Sequence, residues 1–146
     1  MDIAAQLIAA AVGIALLAVA IAHLLWSVGI MWPIRDEQLL ARTVAGFPGM
    51  ERMPAKWKSF GVAVAAFIAC VIAFSVADPV AGGTGLTLLA AAAGLVFLAR
   101  GAVGYTAWWA AKTPVEPFRT LDRKTYSPLC LALGAGFLFL VLVRLL

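Results

Sequence analysis

The 146-residue chain is 64% hydrophobic, only 12% charged, and carries a formal net charge of +4. A soluble domain holds roughly 25% charged residues, so a water-surrounded globule of this size is excluded and lipid is the consistent solvent for much of the surface. The basic residues fall in connecting segments that lack the composition of a nucleic-acid-binding arm, which leaves anionic lipid headgroups as the expected attraction.

The first apolar run extends from Ile3 to about Met31, interrupted by Gln6, His23 and Ser27. It has no basic segment ahead of it, Asp2 standing there instead, so it reads as a retained membrane helix and not as a cleaved signal peptide. Trp26 and Trp32 lie toward its end, where amphipathic rings favour the headgroup region, and Pro33 marks a boundary. The first connection contains RDEQLLARTVAGFPG, in which Leu39, Leu40, Val44 and Phe47 recur near helical spacing. That pattern predicts a short amphipathic helix over about Asp36–Ala45, lying in the interface.

The second run covers about Ser59–Ala77, with Trp57 and Lys58 as anchors at its start. Gly61, Ala65, Ala69, Ala73 and Ala77 recur every fourth residue, a small-residue stripe of the kind that lets helices approach closely in lipid. Shorter patches are Ala9 with Gly13 and Ala132 with Gly136. The stretch ADPVAGGTG is a turn by composition. The third run covers about Leu86–Ala111 and contains Arg100. A third connection with three prolines, KTPVEPFRTLDRKTYSP, is expected to lie ordered against the bundle without being helical throughout. The fourth run covers about Leu129–Leu146, with Ser127 as a candidate N-cap and Pro128 suited to a first turn. Asp122 is a candidate clamp to a base of the first connection, such as Arg35 or Arg42.

The fold expected is therefore all-α: a four-transmembrane-helix bundle, a single membrane domain, with a short interfacial helix in the first connection. Arg35, Arg42, Arg52, Lys56 and Lys58 sit in the first connection, Lys112, Arg119, Arg123 and Lys124 in the third, and none in the second. The positive-inside rule then places both long connections in the cytoplasm and both termini outside.

Two ionisable residues stand inside the apolar runs. His23, the sole histidine, lies about 15 Å of helical rise from Pro33, and Arg100 about 18 Å from Lys112. At that common depth, with no intramembrane acid expected beside Arg100, the residues suggest a polar pocket built from His23, Trp26, Arg100, Tyr105 and Trp108, suited to an anionic or carbonyl-bearing ligand. The competing reading has Arg100 snorkelling to an interface and His23 hydrogen-bonded to a helix carbonyl or to Tyr105.

Other chemistry is not supported. No acid accompanies His23 for a Ser-His-Asp set, and GGTG lacks the lysine of a phosphate loop. One histidine cannot supply bis-imidazole haem ligation in a monomer. Cys70 and Cys130 form no metal-binding pattern. No cofactor or metal is expected.

HLLWSVGIMWP in the first run and PFRTLDRKTYSPLCLALGAGF before and into the fourth resemble the bacterial membrane proteins grouped as domain of unknown function 3995. The second motif is the more specific, at Leu121, Asp122, Arg123, Tyr126, Ser127, Pro128, Leu129 and Cys130. The resemblance covers nearly the whole chain and implies the four-span bundle, but no reaction. The function expected is binding of a lipid or small amphipathic ligand within the bundle, without catalysis. The alternatives are a membrane enzyme acting on a lipid-soluble substrate, with His23 as acid/base and Arg100 as anion anchor, and an accessory subunit of a larger complex. A homo-oligomer is compatible with all three.

Overall fold

The computed structural model describes residues 2–146, and every described element is helical. Four helices are long and apolar enough to cross a membrane: α1 (Ile3–Ser27), α3 (Lys56–Ala77), α4 (Thr84–Val103) and a continuous Phe118–Leu145 helix. The last of these consists of α6 (Phe118–Leu121), a π-helical turn (Asp122–Tyr126) and α7 (Ser127–Leu145). Two short helices lie in the connections, α2 (Glu37–Val44) and α5 (Ala107–Lys112).

The ends of these helices have local causes. Asp2 caps α1 by accepting from the Ala4 amide at 2.9 Å. At the other end Gly29 adopts φ +87°, the Gly29 amide donates to the Trp26 carbonyl at 3.1 Å and the Ile30 amide to the Leu25 carbonyl at 2.9 Å. This Schellman arrangement, which glycine enters without a Cβ clash, stops the helix ahead of Met31. The amphipathic helix expected over 36–45 is present as α2, with Asp36 accepting from the Leu39 amide at 3.2 Å. Leu40 and Ala41 turn inward and Leu39 stays exposed.

The third apolar run does not continue to Ala111. Thr106 is extended and caps a new helix, accepting from the Trp109 amide at 3.2 Å. Ser127 corrects another expectation. It has helical dihedrals, and its amide reaches back five residues to the Asp122 carbonyl, so it is not an N-cap. Pro128 has no amide to give and would crowd the carbonyl four residues before it in a regular helix. The wider turn over Asp122–Tyr126 accommodates the proline while the helix runs on.

The bundle consists of two tight pairs, α1 with α3 and α4 with α7; α1 and α4 lie across its diagonal. Ala5, Ala9, Val12, Leu16, Cys70, Ala73, Leu133, Phe137 and Leu140 form a common core. The small-residue seam of α3 differs from the expected stripe. Ser59, Ala63, Ala66, Ala69, Cys70, Ala73 and Val76 are buried, whereas Gly61 and Ala65 are exposed. A strict four-residue period drifts by roughly 40° per step on a helix of 3.6 residues per turn. Steps of three and four residues hold the contact face.

The α4–α7 seam rests on glycine. A Cβ on Gly94 would meet the Gly134 carbonyl oxygen at 3.3 Å, and one on Gly134 would meet the Gly94 carbonyl at 2.8 Å. The two backbones therefore touch where neither residue carries a side chain.

The amino terminus, the α3–α4 turn and the end of α7 share one end of the bundle, where Arg144 donates to the carbonyls of Val76 (3.2 Å), Asp78 (2.9 Å) and Ala81. Both long connections share the other end. There the Tyr126 hydroxyl donates to the Thr43 carbonyl at 3.0 Å and the Val115 amide to the Gly46 carbonyl at 3.2 Å.

Candidate functional site

Two polar arrangements lie at the end that carries the long connections, one on each helix pair. The first is built on α1 and α3. His23 stands four residues before the end of α1, and its Nδ1 lies 2.9 Å from the Val19 carbonyl. With that nitrogen engaged on the helix's own backbone, Nε2 makes no hydrogen bond among the described residues. The Trp26 ring lies against the imidazole, centroids 4.6 Å apart, and is oriented by its own Nε1–H, which donates to the Trp32 carbonyl at 2.7 Å. His23 and Trp26 line a cavity of about 230 Å³ together with Val44, Met53, Lys58 and Ser59. Ser59 is buried in the first turns of α3 and Lys58 is exposed at the rim. The lining is thus mostly apolar, with an imidazole from α1 and a buried hydroxyl from α3, and the Lys58 ammonium at the rim lies 5.6 Å from the Trp57 ring centroid.

The second arrangement joins α4 to the π-helical turn. Arg100 Nη2 meets Asp122 Oδ1 at 2.7 Å, the one ion pair among the described residues. The other carboxylate oxygen of Asp122 accepts from Trp109 Nε1 at 2.9 Å, and the guanidinium lies over the Trp109 ring, 5.1 Å from its centroid. The aspartate side chain is 3% exposed and the arginine 33%. Gly104 makes room for this contact: a Cβ there would run into the Ser127 hydroxyl and come within 3.1 Å of Asp122 Oδ2. The Ser127 hydroxyl and Arg100 Nη1 are buried without a protein partner.

These observations correct the expectation of an unneutralised Arg100. The acid belongs to the third connection as read from sequence, but the Phe118–Leu145 helix carries it to the α4 terminus. The clamp expected from Asp122 to Arg35 or Arg42 is replaced by this pair. Arg100 itself lies in the last turn of α4, because α4 ends at Val103, and there its charge also complements the carbonyl end of the helix. The extended residue at Thr106 resets the helical phase, so that Trp109, and not Trp108, reaches Arg100.

The five residues expected to form one pocket are distributed over three places. His23 and Trp26 share the α1–α3 cavity. Arg100 is held by Asp122 and Trp109. Tyr105 faces a separate groove with Arg119 and Arg123, and its hydroxyl donates to the Arg123 carbonyl at 3.2 Å. Trp108 is 61% exposed, with Lys112 Nζ 5.1 Å from its ring centroid. The diagonal placement of α1 and α4 separates the imidazole from the guanidinium although both stand at the same end. Asp122, Trp109 and Ser127 were not among the expected site residues. Asp122 and Ser127 belong to the motif in the third connection, while the helix break that brings Trp109 inward has no strong sequence signal, since Gly-Tyr-Thr contains no proline.

Four apolar helices around a small common core, with polar contacts at the two ends of the bundle, define a multi-pass helical membrane protein. Residues 16–137 match the family described as Protein of unknown function (DUF3995), and the chain belongs to that family. The matched range includes His23, Arg100, Asp122 and Ser127. No curated protein and no solved structure matches the chain.

Proposed function

We propose that the protein lies in a bacterial inner membrane, with both termini outside and both long connections cytoplasmic, and binds a lipid or small amphipathic molecule without transforming it. The head of that molecule occupies the cavity beside His23 and its tail follows the apolar wall at Val44 and Met53. The observation that carries this reading is the free Nε2 of His23 in a cavity that Ser59 and Lys58 also line. A nitrogen that can donate or accept, in a cavity with a lysine at its rim, orients an anionic or carbonyl-bearing head, while the aliphatic side chains favour its tail.

Native mass spectrometry of the protein in mild detergent, with visible absorption for a coloured ligand, tests the binding. A small molecule retained by the wild type and by Trp108→Ala, and lost from His23→Ala and Lys58→Ala, is the expected result. Ligand-free wild-type protein, or equal retention in all variants, refutes it. The orientation rests on the basic residues of the connections and is tested with Val80→Cys, at a position 92% exposed in the α3–α4 turn. Labelling by an impermeant reagent in intact spheroplasts is expected, and labelling only after permeabilisation reverses the topology.

A further inference from the structure

The end of α4, α5 and the third connection enclose an open groove of about 530 Å³, separate from the His23 cavity and on the other helix pair. Arg119 of α6 and Arg123 of the π-helical turn stand four residues apart and line it together. Tyr105 and Thr106 line it from the end of α4, and Ala110 and Pro114 contribute an apolar stretch.

Both guanidinium groups are uncommitted. Neither forms an ion pair among the described residues. Glu116, three residues before Arg119, is occupied by Thr120, whose amide and hydroxyl donate to its two oxygens at 3.1 and 2.9 Å. The Tyr105 hydroxyl is bonded to the Arg123 carbonyl, which ties the α4 terminus to the π-helical turn and sets the distance between the two walls. Two arginines that line one groove without a carboxylate repel one another, and an anion with several oxygens relieves that repulsion. Planar guanidinium forks match phosphate oxygens in pairs, which a single ammonium does not. Next to the groove the exposed Trp108 ring carries Lys112, a pairing of amphipathic ring and cation suited to the headgroup layer.

We propose that this groove binds a phosphate group through Arg119 and Arg123, in the form presented by an anionic phospholipid whose glycerol end rests on Ala110 and Pro114. This reading does not depend on the ligand proposed for the His23 cavity.

Full-length protein in detergent is titrated in separate arms with phosphatidylglycerol, with phosphatidylcholine and with inorganic phosphate, and bound species are counted by native mass spectrometry. Phosphatidylglycerol is expected to bind in preference to phosphatidylcholine and to lose about 30-fold in affinity in the double variant Arg119→Gln/Arg123→Gln, at about fivefold per basic contact. Arg119→Lys/Arg123→Lys, which keeps the charge but not the fork, is expected to fall between the two and also guards against a folding defect in the glutamine variant. Arg35→Gln/Arg52→Gln alters the net charge equally in the other connection and is expected to bind as the wild type does. Equal loss in that control, or undiminished binding in Arg119→Gln/Arg123→Gln, overturns the site. Arginine-dependent binding of inorganic phosphate tighter than that of phosphatidylglycerol overturns the lipid as its source and assigns the groove to a soluble phosphate.

Discussion

Replacing Asp122 by asparagine and Arg100 by methionine, singly and together, probes the pair that joins α4 to the π-helical turn. The two partners are unequally placed, the carboxylate being 3% exposed and the guanidinium 33%. When Asp122 loses its charge, Arg100 can turn its head toward water or lipid phosphates, and the asparagine oxygen can still accept from Trp109. The cost is then that of a weakened charged hydrogen bond, about 1–2 kcal/mol. When Arg100 is lost, the carboxylate has nowhere to turn and keeps only the Trp109 N–H. Removing one partner of a fully buried pair costs roughly 3–5 kcal/mol; the partial exposure of Arg100 favours the lower half of that range. The double variant leaves no uncompensated charge and is expected to cost about 1–2 kcal/mol less than the sum of the singles. Reversible unfolding of the purified protein by SDS in mixed micelles measures all three. Additive losses, or an Asp122→Asn loss as large as that of Arg100→Met, would refute the claim that the buried carboxylate is the dependent partner.

Four further outcomes follow from the packing. Gly134→Ala is expected to destabilise the protein by about 1–3 kcal/mol, as overpacking does, because its Cβ meets the Gly94 carbonyl and Leu98. Gly61→Ala, with nothing within 4 Å of its Cβ, is expected to be neutral or to add up to about 1 kcal/mol through helix propensity; both shifts can be read from detergent melting curves. Arg144→Ala removes three carbonyl contacts at the α3–α4 turn, and faster hydrogen exchange confined to residues 77–83 is expected. Tyr126→Phe is expected to cost about 1 kcal/mol and to speed exchange in α2, whose Thr43 carbonyl loses its partner.

The four helices, the short helix α2 and the family were legible because each rests on a signal confined to neighbouring residues: a long apolar run, the helical spacing of Leu39, Leu40 and Val44, the motif around Tyr126. What was not legible depends on phase and on partners far along the chain. The small-residue stripe from Gly61 to Ala77 has a period of four in sequence, and only packing against α1 selects the faces at Ala63, Ala66 and Cys70. In sequence Arg100 lies deep in a run to Ala111 because the stretch from Gly104 to Thr106 contains no proline, yet a single extended residue at Thr106 ends that run. Once the helix stops at Val103, Arg100 lies at its terminus and Trp109 replaces Trp108 as its neighbour. From sequence Asp122 belongs to the third connection because proline usually opens a helix, whereas here a π-helical turn lets the helix pass through Pro128.

The same features explain how a bundle with few buried large side chains holds together. Its tight contacts lie within the pairs α1–α3 and α4–α7, where small residues bring backbones close, and the crevice between α1 and α7 is lined by small side chains such as Ala11, Ala15, Ala132 and Gly136. Lipid gives little hydrophobic gain for closing such a crevice, so the two pairs need other ties. Arg144 of α7 supplies one by holding the last carbonyls of α3, and Tyr126 with Val115 supplies the other by holding α2 and the turn that follows it. Polar bonds are placed at both ends of the bundle, where the connections fold back, and the middle is left to van der Waals contact. The His23 cavity and the Arg119–Arg123 groove lie at the end with the second set of ties, one on each pair. A shift of the pairs relative to one another would therefore strain the Tyr126–Thr43 bond while leaving the Gly94–Gly134 contact intact, because that contact lies within a single pair.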